Sequence, residues 1–231
     1  MNSASDMPNP GHTQAPDNPA RRLRSDGRKS KERILAAAKE VAEERGYDGA
    51  TIAEICRRAD LPASSVYWHF GDKDQLLVKV IEESYRAWNE AWDIGDSQNV
   101  IMQMPVIAEQ ILDALEHHSL FIRLGLPLAI QKRKDNPRPR QMYVRNRDRI
   151  AKRLAAVGRR HFPQIPEARR DLIIGNMISG VEGIFVAEFM REGVDADSGA
   201  TAPHAPLTLR DQLELHAEMV IAMILREAER Y

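Results

Sequence analysis

The stretch 51-TIAEICRRADLPASSVYWHF-70 decides the fold class of this chain. Its first half has helical apolar spacing and a capping-box pattern, with Thr51 as N-cap and Glu54 three residues later. Asp60 tolerates a left-handed backbone, and Pro62 suits the start of a second short helix. Two short helices joined by a tight turn indicate a helix-turn-helix, whose second helix enters the DNA major groove. Helical hairpins without a DNA function show the same pattern.

The aromatic run in the second helix cannot occupy one face, because consecutive helical residues point in different directions. Val66 and Phe70 are four residues apart and are expected to face the core. Tyr67, Trp68 and His69 are then left for the outer surface. There the Tyr67 hydroxyl and a His69 ring N–H can donate hydrogen bonds to phosphate oxygens. The run therefore predicts a helix with a packed inner face and an aromatic outer face.

Composition indicates a globular protein, with 43% hydrophobic and 29% charged residues among 231. Residues 21–73 contain 12 Lys/Arg and 9 Asp/Glu, so a polyanionic partner is expected to meet this part of the chain. The single cysteine, Cys56, excludes a disulfide framework and a thiolate zinc cluster, in keeping with a cytoplasmic protein. No run of eighteen apolar residues occurs, so neither a transmembrane helix nor a membrane partner is expected.

The remaining pattern predicts an all-α fold of about nine helices and no strands. Residues 1–20 contain four prolines and no apolar run, which is typical of a disordered leader. In residues 21–33, seven of thirteen side chains are basic, which indicates either a solvated arm or a DNA-seeking arm. A helix ending at Gly46 precedes the motif, and a long helix capped by Asp72 follows it. Further helices are predicted near 105–117, 119–132, 137–161, 166–191 and 208–229.

The segment 50-ATIAEICRRADLPASSVYWHFGDKDQLL-77 resembles the DNA-binding signature of the tetracycline-repressor (TetR) family of bacterial transcription regulators. With the helix before it, the resemblance covers about residues 28 to 80; beyond them it is architectural only. It implies a disordered leader and basic arm over 1–27, a helix-turn-helix DNA-binding domain over 28–73 and a ligand-binding and dimerisation domain over 74–231. The family usually has glycine at the position of Asp60, and often Ser-x-Gly-Thr where this chain reads PASS.

Motif and resemblance together predict the DNA-binding residues. Small side chains lead the recognition helix and offer no bidentate base contact, so shape readout, Arg57, Arg58 or the arm would complete the specificity. For Arg57 and Arg58, a solvated helix end is an equal alternative. Lys73 begins a helix whose N-terminal N–H groups favour an anion. The full set is Arg28, Thr51, Ala63, Ser64, Ser65, Tyr67, Trp68, His69 and Lys73.

Catalytic and metal-binding patterns are missing from the sequence. There is no HExxH motif, no phosphate-cradling glycine loop and no G-x-S-x-G motif. The adjacent pair His117 and His118 points in two directions, which disfavours a shared metal ion. We therefore expect no enzyme activity, no cofactor and no metal site.

The resemblance also implies a ligand pocket and a dimer interface in the C-terminal part. Methionine and aromatic side chains suit an adaptable apolar cavity, although ordinary core is an alternative for each of them. The pocket residues expected are Trp88, Trp92, Phe121, Leu124, Met142, Tyr143, Asn146, Met177, Glu182 and Phe185. A four-helix interface between two copies is expected at Gly180, Gly183, Leu213, Val220 and Ile224 on the last two predicted helices.

The function implied is a homodimeric, ligand-responsive repressor of transcription. It would bind a double-stranded, palindromic DNA operator and be released from it by a small, partly hydrophobic effector. One alternative is a ligand-independent architectural DNA-binding protein, which the large helical C-terminal part disfavours. The other is a small-molecule enzyme or scavenger with an incidental helix-turn-helix, which the missing catalytic motifs disfavour.

Overall fold

The computed structural model describes residues 19–93, 100–131, 137–192 and 208–231, and the regular structure in these ranges is entirely helical. This confirms the all-α fold class. The helices are α1 (Pro19–Gly49), α2 (Ile52–Ala59), α3 (Ala63–Phe70), α4 (Lys73–Glu90), α5 (Val100–His118), α6 (Leu120–Ile130), α7 (Arg138–His161), α8 (Glu167–Glu192) and α9 (Leu209–Arg230).

The first helix begins earlier than the sequence indicated. Residues 19–27 were expected in the disordered leader and basic arm, but α1 includes them. Alanine, leucine and arginine in this stretch are good helix formers, and a helix already nucleated downstream extends over them at little cost. Residues 1–18 of the predicted leader lie outside the described residues. At the other end, Gly46 breaks α1 with a φ of 64°, so the predicted stop is confirmed.

The turn between α2 and α3 depends on one left-handed residue. Asp60 has φ 50° and ψ 52°, as its tolerance for this conformation predicted. Its N–H lies 3.4 Å from the Arg57 carbonyl oxygen, and the Leu61 N–H donates to the Cys56 carbonyl at 3.2 Å. These bonds close α2 and set the direction of α3.

Substitution at Asp60 tests this turn. Asp60→Ala should lower the free energy of unfolding by about 1 kcal/mol, because alanine has no local hydrogen bond to offset the left-handed backbone. Asp60→Gly should be tolerated, since glycine adopts this conformation without steric cost. Urea denaturation of the three proteins measures both. Equal losses for the two variants would assign the effect to the Asp60 side chain, whose ion pair with Arg33 spans 3.5 Å.

The capping box predicted at the start of α2 is only half formed. The Thr51 hydroxyl accepts from the Glu54 backbone N–H at 3.2 Å, so the N-cap is present. The Thr51 N–H, however, donates to the Gly49 carbonyl at 2.9 Å. Glu54 turns instead to Arg57 and Arg45, at 2.5 and 3.2 Å, because two guanidinium groups offer it stronger partners than one amide.

A continuous apolar core joins the N-terminal helices to the rest of the chain. Val66 and Phe70 are buried as predicted, and the core that contains them continues through Leu77 and Ile81 of α4 to Phe121 and Phe185 of α6 and α8. Val66 is fully buried, so any rotation of α3 about its axis would expose apolar surface. The core therefore fixes which face of α3 points outward.

Helix α8 has a composition that the sequence expectation did not anticipate. Among the described residues, it alone is long and apolar enough to cross a membrane, and only 17% of that window is buried. Core helices of water-soluble proteins meet the same criteria. Glu182 in its middle pairs with Arg147 of α7 at 2.8 Å, which ties α8 to the helical bundle.

Candidate nucleic-acid interface and interior cavities

The outer face of α3 is aromatic and exposed. Trp68 has 78% and Tyr67 54% of its surface open to solvent, the opposite of the buried Val66 and Phe70. Ala63 and Ser64 at the start of α3 are exposed, and Ser65 is half-buried. Tyr67 and Trp68 are adjacent, and neighbouring exposed apolar side chains rimmed by polar residues can mark a binding surface. The face therefore presents small residues at the helix start and aromatic residues beyond them.

His69 lies at the edge of this face, with its ring centroid 4.5 Å from that of Trp68 in an edge-on contact. Partial burial, and then the positive charge of Lys31, lower the pKa of His69 below its usual value. The imidazole is therefore neutral near pH 7 and offers one ring N–H as a donor. The N-terminal part of α1 is close by, because a Cβ at Gly27 would lie 4.0 Å from the Trp68 ring.

Lys73 is held beside the same face by two contacts. Its ammonium lies 4.3 Å from the ring centroid of Tyr47 and donates to the Asp48 carbonyl at 3.4 Å. Thr51 is exposed at the start of α2. Arg28 is largely exposed on α1, with Nε 3.7 Å from Glu32. The predicted DNA-contact side chains thus lie at two helix N-termini and on the outer side of α3, apart from Arg28, which lies on α1.

The two arginines at the end of α2 have structural partners. Arg58 pairs with Glu44 at 2.7 Å and Glu40 at 3.1 Å, which braces α2 against α1. Arg57 pairs with Glu54 within α2. These hydrogen bonds raise the pKa of both guanidinium groups. Arg58 therefore serves the fold, and it is a weaker candidate for base readout than the sequence indicated.

A polar junction connects this domain to the bundle behind it. Asp72 caps α4 by accepting from the Gln75 N–H at 2.7 Å, and it also accepts from the Arg138 guanidinium at 3.0 Å. Asp74 accepts from the Tyr47 hydroxyl at 2.6 Å and from the Arg138 backbone N–H at 3.2 Å. Three elements, α1, α4 and α7, therefore meet at two carboxylates directly behind α3.

Two neighbouring apolar cavities lie in the helical bundle, and the larger of this pair, of about 180 Å³, lies between α5, α7, α8 and α9. Its wall is almost wholly apolar. Its two polar side chains are engaged: Arg170 donates to the carbonyls of Phe162 and Ile165, and His216 Nε2 donates to the Met177 carbonyl at 3.0 Å. The cavity therefore suits an apolar group.

The smaller cavity, of about 90 Å³, lies next to the larger one. The Tyr143 hydroxyl donates to Glu182 at 2.7 Å, and Arg147 Nε donates to the same carboxylate at 2.8 Å. Burial, and then the bond and charge of Glu182, raise the pKa of Tyr143 strongly, so the phenol stays neutral. Trp88, near the end of α4, and Trp92, two residues beyond α4, also line this cavity.

Comparison with known proteins decides the family. Residues 34–80 match the model described as bacterial regulatory proteins, tetR family. The matched segment, which contains the helix-turn-helix, is that of the tetR family of bacterial regulatory proteins. The match ends within α4, so it includes the helix-turn-helix and the junction residues Asp72 and Asp74, but neither cavity. The family resemblance predicted from the sequence is thereby confirmed.

Curated relatives match this chain over its front part. The HTH-type transcriptional regulator QacR of Staphylococcus aureus is 31% identical over 62 residues, which are 27% of this chain and 33% of QacR. The HTH-type transcriptional repressor NicS of Pseudomonas putida is 26% identical over 101 residues, 42% of this chain and 46% of NicS. The chain thus spans less than half the length of these relatives.

Solved structures extend the likeness to most of the chain. A transcriptional regulator from Aquifex aeolicus VF5 has a TM-score of 0.53 and 22% identity over 82% of this chain and 96% of its own. A transcriptional regulator from Rhodococcus sp. Rha1 has a TM-score of 0.57 and 20% identity, over 83% and 96%. At these identities the likeness establishes the shared fold alone.

Six of the ten predicted pocket residues line a cavity. Trp88, Trp92, Phe121, Tyr143, Met177 and Glu182 line the smaller cavity. Leu124, Met142, Asn146 and Phe185 are buried but lie outside both cavity walls. Arg147 was not predicted, because nothing in its own sequence spacing distinguishes it from the other arginines of α7; it emerges only from its contact with Glu182.

The predicted dimer residues on α9 line a cavity within the single chain. Leu213 and Val220 have 1% and 5% of their surface exposed, and both line the larger cavity together with Ile224. Helical spacing identifies an apolar face but does not tell an internal face from an external one. Gly180 also packs inside the subunit, because a Cβ there would lie 2.0 Å from the His216 ring. Gly183 differs from them, since it is exposed and has open space around it.

A different apolar stripe is exposed on the last two helices. On α8 it consists of small and apolar residues at helical spacing, namely Leu172, Gly175, Ser179, Gly183, Ala187 and Met190. On α9, Leu215 and Met219 are each more than half exposed. A contiguous apolar patch of this kind typically marks a protein–protein contact. The exposed stripe lies on the pair of helices for which the sequence predicts a dimer contact, but on a different face of α9.

Proposed function

We propose that this chain is a ligand-responsive, sequence-specific DNA-binding transcription regulator, and that it acts as a repressor released from its operator by a small, partly hydrophobic effector. The observation that carries the proposal is the exposed outer face of α3, set by the buried Val66 and Phe70. The names of its curated relatives support regulation of transcription as the activity. The proposal includes that the protein acts in the cytoplasm and has no enzyme activity.

DNA contact would divide between bases and phosphates. Ala63, Ser64 and Ser65 lead α3 and approach the bases closely, with hydroxyl and methyl contacts. Tyr67, His69 and Lys73 surround them with donors for phosphate oxygens. Because this arrangement has no bidentate base reader, the shape of the DNA and the N-terminal part of α1 would contribute to specificity.

A homodimer would place two copies of α3 in successive major grooves, roughly 34 Å apart. The exposed stripe of α8 and α9 is the surface proposed for that contact. Its small residues, Gly175, Ser179 and Gly183, permit close helix approach, while Leu215 and Met219 supply apolar area. The apolar composition of α8 is then explained by burial between two copies.

The cavities and the DNA face would communicate through α4 and α7. Trp88 near the end of α4 and Tyr143 on α7 both line the smaller cavity, and the N-terminal ends of these two helices meet at Arg138 and Asp72. A ligand that alters the spacing of α4 and α7 would strain this junction. Typical coupling of this kind amounts to about 1–3 kcal/mol.

Removing the Arg138 side chain tests the junction. Arg138→Ala should weaken DNA binding about threefold to tenfold, within the range of typical coupling energies, since α3 is then less firmly held. The fold should survive, because an exposed ion pair contributes at most about 1 kcal/mol. Fluorescence anisotropy with DNA and urea denaturation measure the two effects.

A double-mutant cycle supplies the control for that prediction. Asp72→Asn retains a good N-cap for α4 while it removes the charge that Arg138 contacts. Arg138→Ala should then have little further effect on DNA affinity in the Asp72→Asn background. Additive effects of the two changes would mean that the junction does not act through this pair.

Selection of bound fragments from random-sequence DNA tests the function itself. The expected product is an inverted repeat with half-sites about one helical turn apart, bound with strong salt dependence. Enrichment of no sequence, with binding retained, would favour the architectural alternative. Absence of salt-sensitive binding would reject a DNA-binding role altogether.

A further inference from the structure

Two buried indole N–H groups at the smaller cavity have no hydrogen-bond acceptor. Trp88 and Trp92 are 5% and 3% exposed, their ring centroids lie 5.4 Å apart, and both line this cavity. Neither Nε1 atom has a partner among the residues that the structure describes. A buried tryptophan N–H usually finds an acceptor, so an acceptor is missing at this point.

A third unpaired donor lies on α7 nearby. Asn146 is fully buried, its Oδ1 accepts from Arg149 at 3.2 Å, and its Nδ2 has no acceptor within the described ranges. Asn146 is not part of the cavity wall, but it belongs to the same helix as Tyr143 and Arg147. All three unpaired buried side-chain atoms in the described part of the chain are therefore donors, and no acceptor there is left over.

The charged groups around this cavity are already engaged. Glu182 accepts from both Tyr143 and Arg147, so the carboxylate is neutralised and its oxygens are occupied. Arg153 lies over the Trp92 ring, 3.5 Å from its centroid, and donates to Asn89 and to the Trp92 carbonyl. An ionic ligand would lose its hydration in an apolar cavity without gaining an unpaired counter-ion, which is unfavourable.

The two cavities share part of their walls, so one ligand can extend from the first into the second. Five apolar residues line both, namely Ile111, Leu115, Leu154, Met177 and Val181. Methionine is flexible, so Met177 can move without breaking a polar contact of its side chain. The smaller cavity thus provides a polar end and the larger one an apolar extension.

We propose that the smaller cavity binds an uncharged ligand by its carbonyl or ether oxygen, which accepts from the indole N–H groups of Trp88 and Trp92, while the apolar body of the ligand extends toward the larger cavity. This rests on the proposed function, because it specifies the chemical class of the effector. No covalent chemistry is involved. The recognition element is a pair of neutral donors, so ketones, esters, lactones and amides belong to the class, whereas carboxylates and plain hydrocarbons do not.

Three probes with one diphenyl skeleton test the class on the full-length protein. Benzophenone carries a carbonyl, diphenylmethane carries a methylene group in its place, and diphenylacetate carries a carboxylate. Benzophenone should bind about tenfold more tightly than diphenylmethane, the factor expected for one or two neutral hydrogen bonds. Diphenylacetate should bind least well, because it must lose the hydration of its charge. Titration calorimetry gives the three affinities.

Nitrogen-15 spectra report the contact itself. The chain has three tryptophans, and Trp68 on the DNA face is an internal control. Benzophenone should move the Trp88 and Trp92 indole proton signals downfield and leave that of Trp68 unchanged, while diphenylmethane should give no downfield shift. Trp88→Phe and Trp92→Phe assign the signals, and each should bring the ratio of ketone to hydrocarbon affinity closer to one.

The ratio of ketone to hydrocarbon affinity remains informative if a variant loosens the cavity, because both probes then lose affinity to the same extent. Equal affinity for ketone and hydrocarbon, preference for the carboxylate, no indole shift, or no binding of any probe would each overturn the proposal. DNA binding is measured separately with the selected operator. Indole contact without any effect on DNA affinity would support the binding site while contradicting the effector role, and failure of all probes would leave the DNA-binding result intact.

Discussion

Leu215→Glu combined with Met219→Glu is expected to convert the protein into folded monomers that bind DNA roughly 100-fold or more weakly. The two side chains are 59% and 60% exposed on α9, so neither contributes to the core of one subunit. Two glutamates at this stripe would repel their counterparts in a second copy and oppose burial. In a dimer, binding of one half-site holds the second α3 close to the other half-site at a high effective concentration. Loss of the dimer removes this advantage, which accounts for the size of the effect.

The adjacent Val220 provides the control. Val220→Glu places a charge at a position that is 5% exposed and lines the larger cavity. We expect this variant to lose helical structure and thermal stability, whereas the double variant keeps its helical circular dichroism. Light scattering and operator binding complete the measurement. If the double variant remains dimeric, the interface lies on another surface.

Tyr67→Phe combined with Lys73→Ala should lower affinity about 100-fold or more for all DNA sequences alike, because the two hydrogen bonds to charged groups contribute about 1.5–3 kcal/mol each. The first change removes only a hydroxyl from an exposed ring, and the second removes one positive charge beside α3. The slope of log affinity against log salt should fall by about 1 per subunit, or about 2 for the proposed homodimer, since each subunit releases one fewer counterion.

Lys79→Ala is the matched control for that variant. Lys79 also lies on α4, with its ammonium 3.3 Å from Glu82, and it is not among the proposed DNA contacts. It should leave both affinity and salt slope close to those of the unaltered protein. An unchanged slope in the Tyr67 and Lys73 variant would remove Lys73 from the set of phosphate contacts, and a change confined to one DNA sequence would make Tyr67 a base reader.

Local chemistry made the helix-turn-helix predictable from sequence. Thr51, Asp60 and Asp72 act through hydrogen bonds and backbone angles within a few residues, and the structure confirms each of them. The inward position of Val66 and Phe70 followed from a spacing of four. Helix boundaries beyond residue 100 also lie within a few residues of those expected, because caps, prolines and apolar spacing are local signals.

Long-range pairings were not predictable. The sequence offers no signal that Arg138 meets Asp72 sixty-six residues away, or that Arg58 pairs with glutamates of α1. The larger cavity was also missed, since its wall consists of aliphatic residues that look like ordinary core. Burial direction on α9 depends on how α5 and α8 pack against it, which apolar spacing alone does not reveal.

Asp72 has two structural roles, and these determine which mutants of the protein can be isolated. The same carboxylate caps α4 and holds Arg138, so most substitutions there damage folding and regulation together and would be discarded in any screen for intact protein. The Arg138 side chain contacts Asp72 but does not cap a helix. Mutants isolated for an altered response to the proposed effector, with the protein still abundant in the cell, should therefore accumulate at codon 138 and be rare at codon 72.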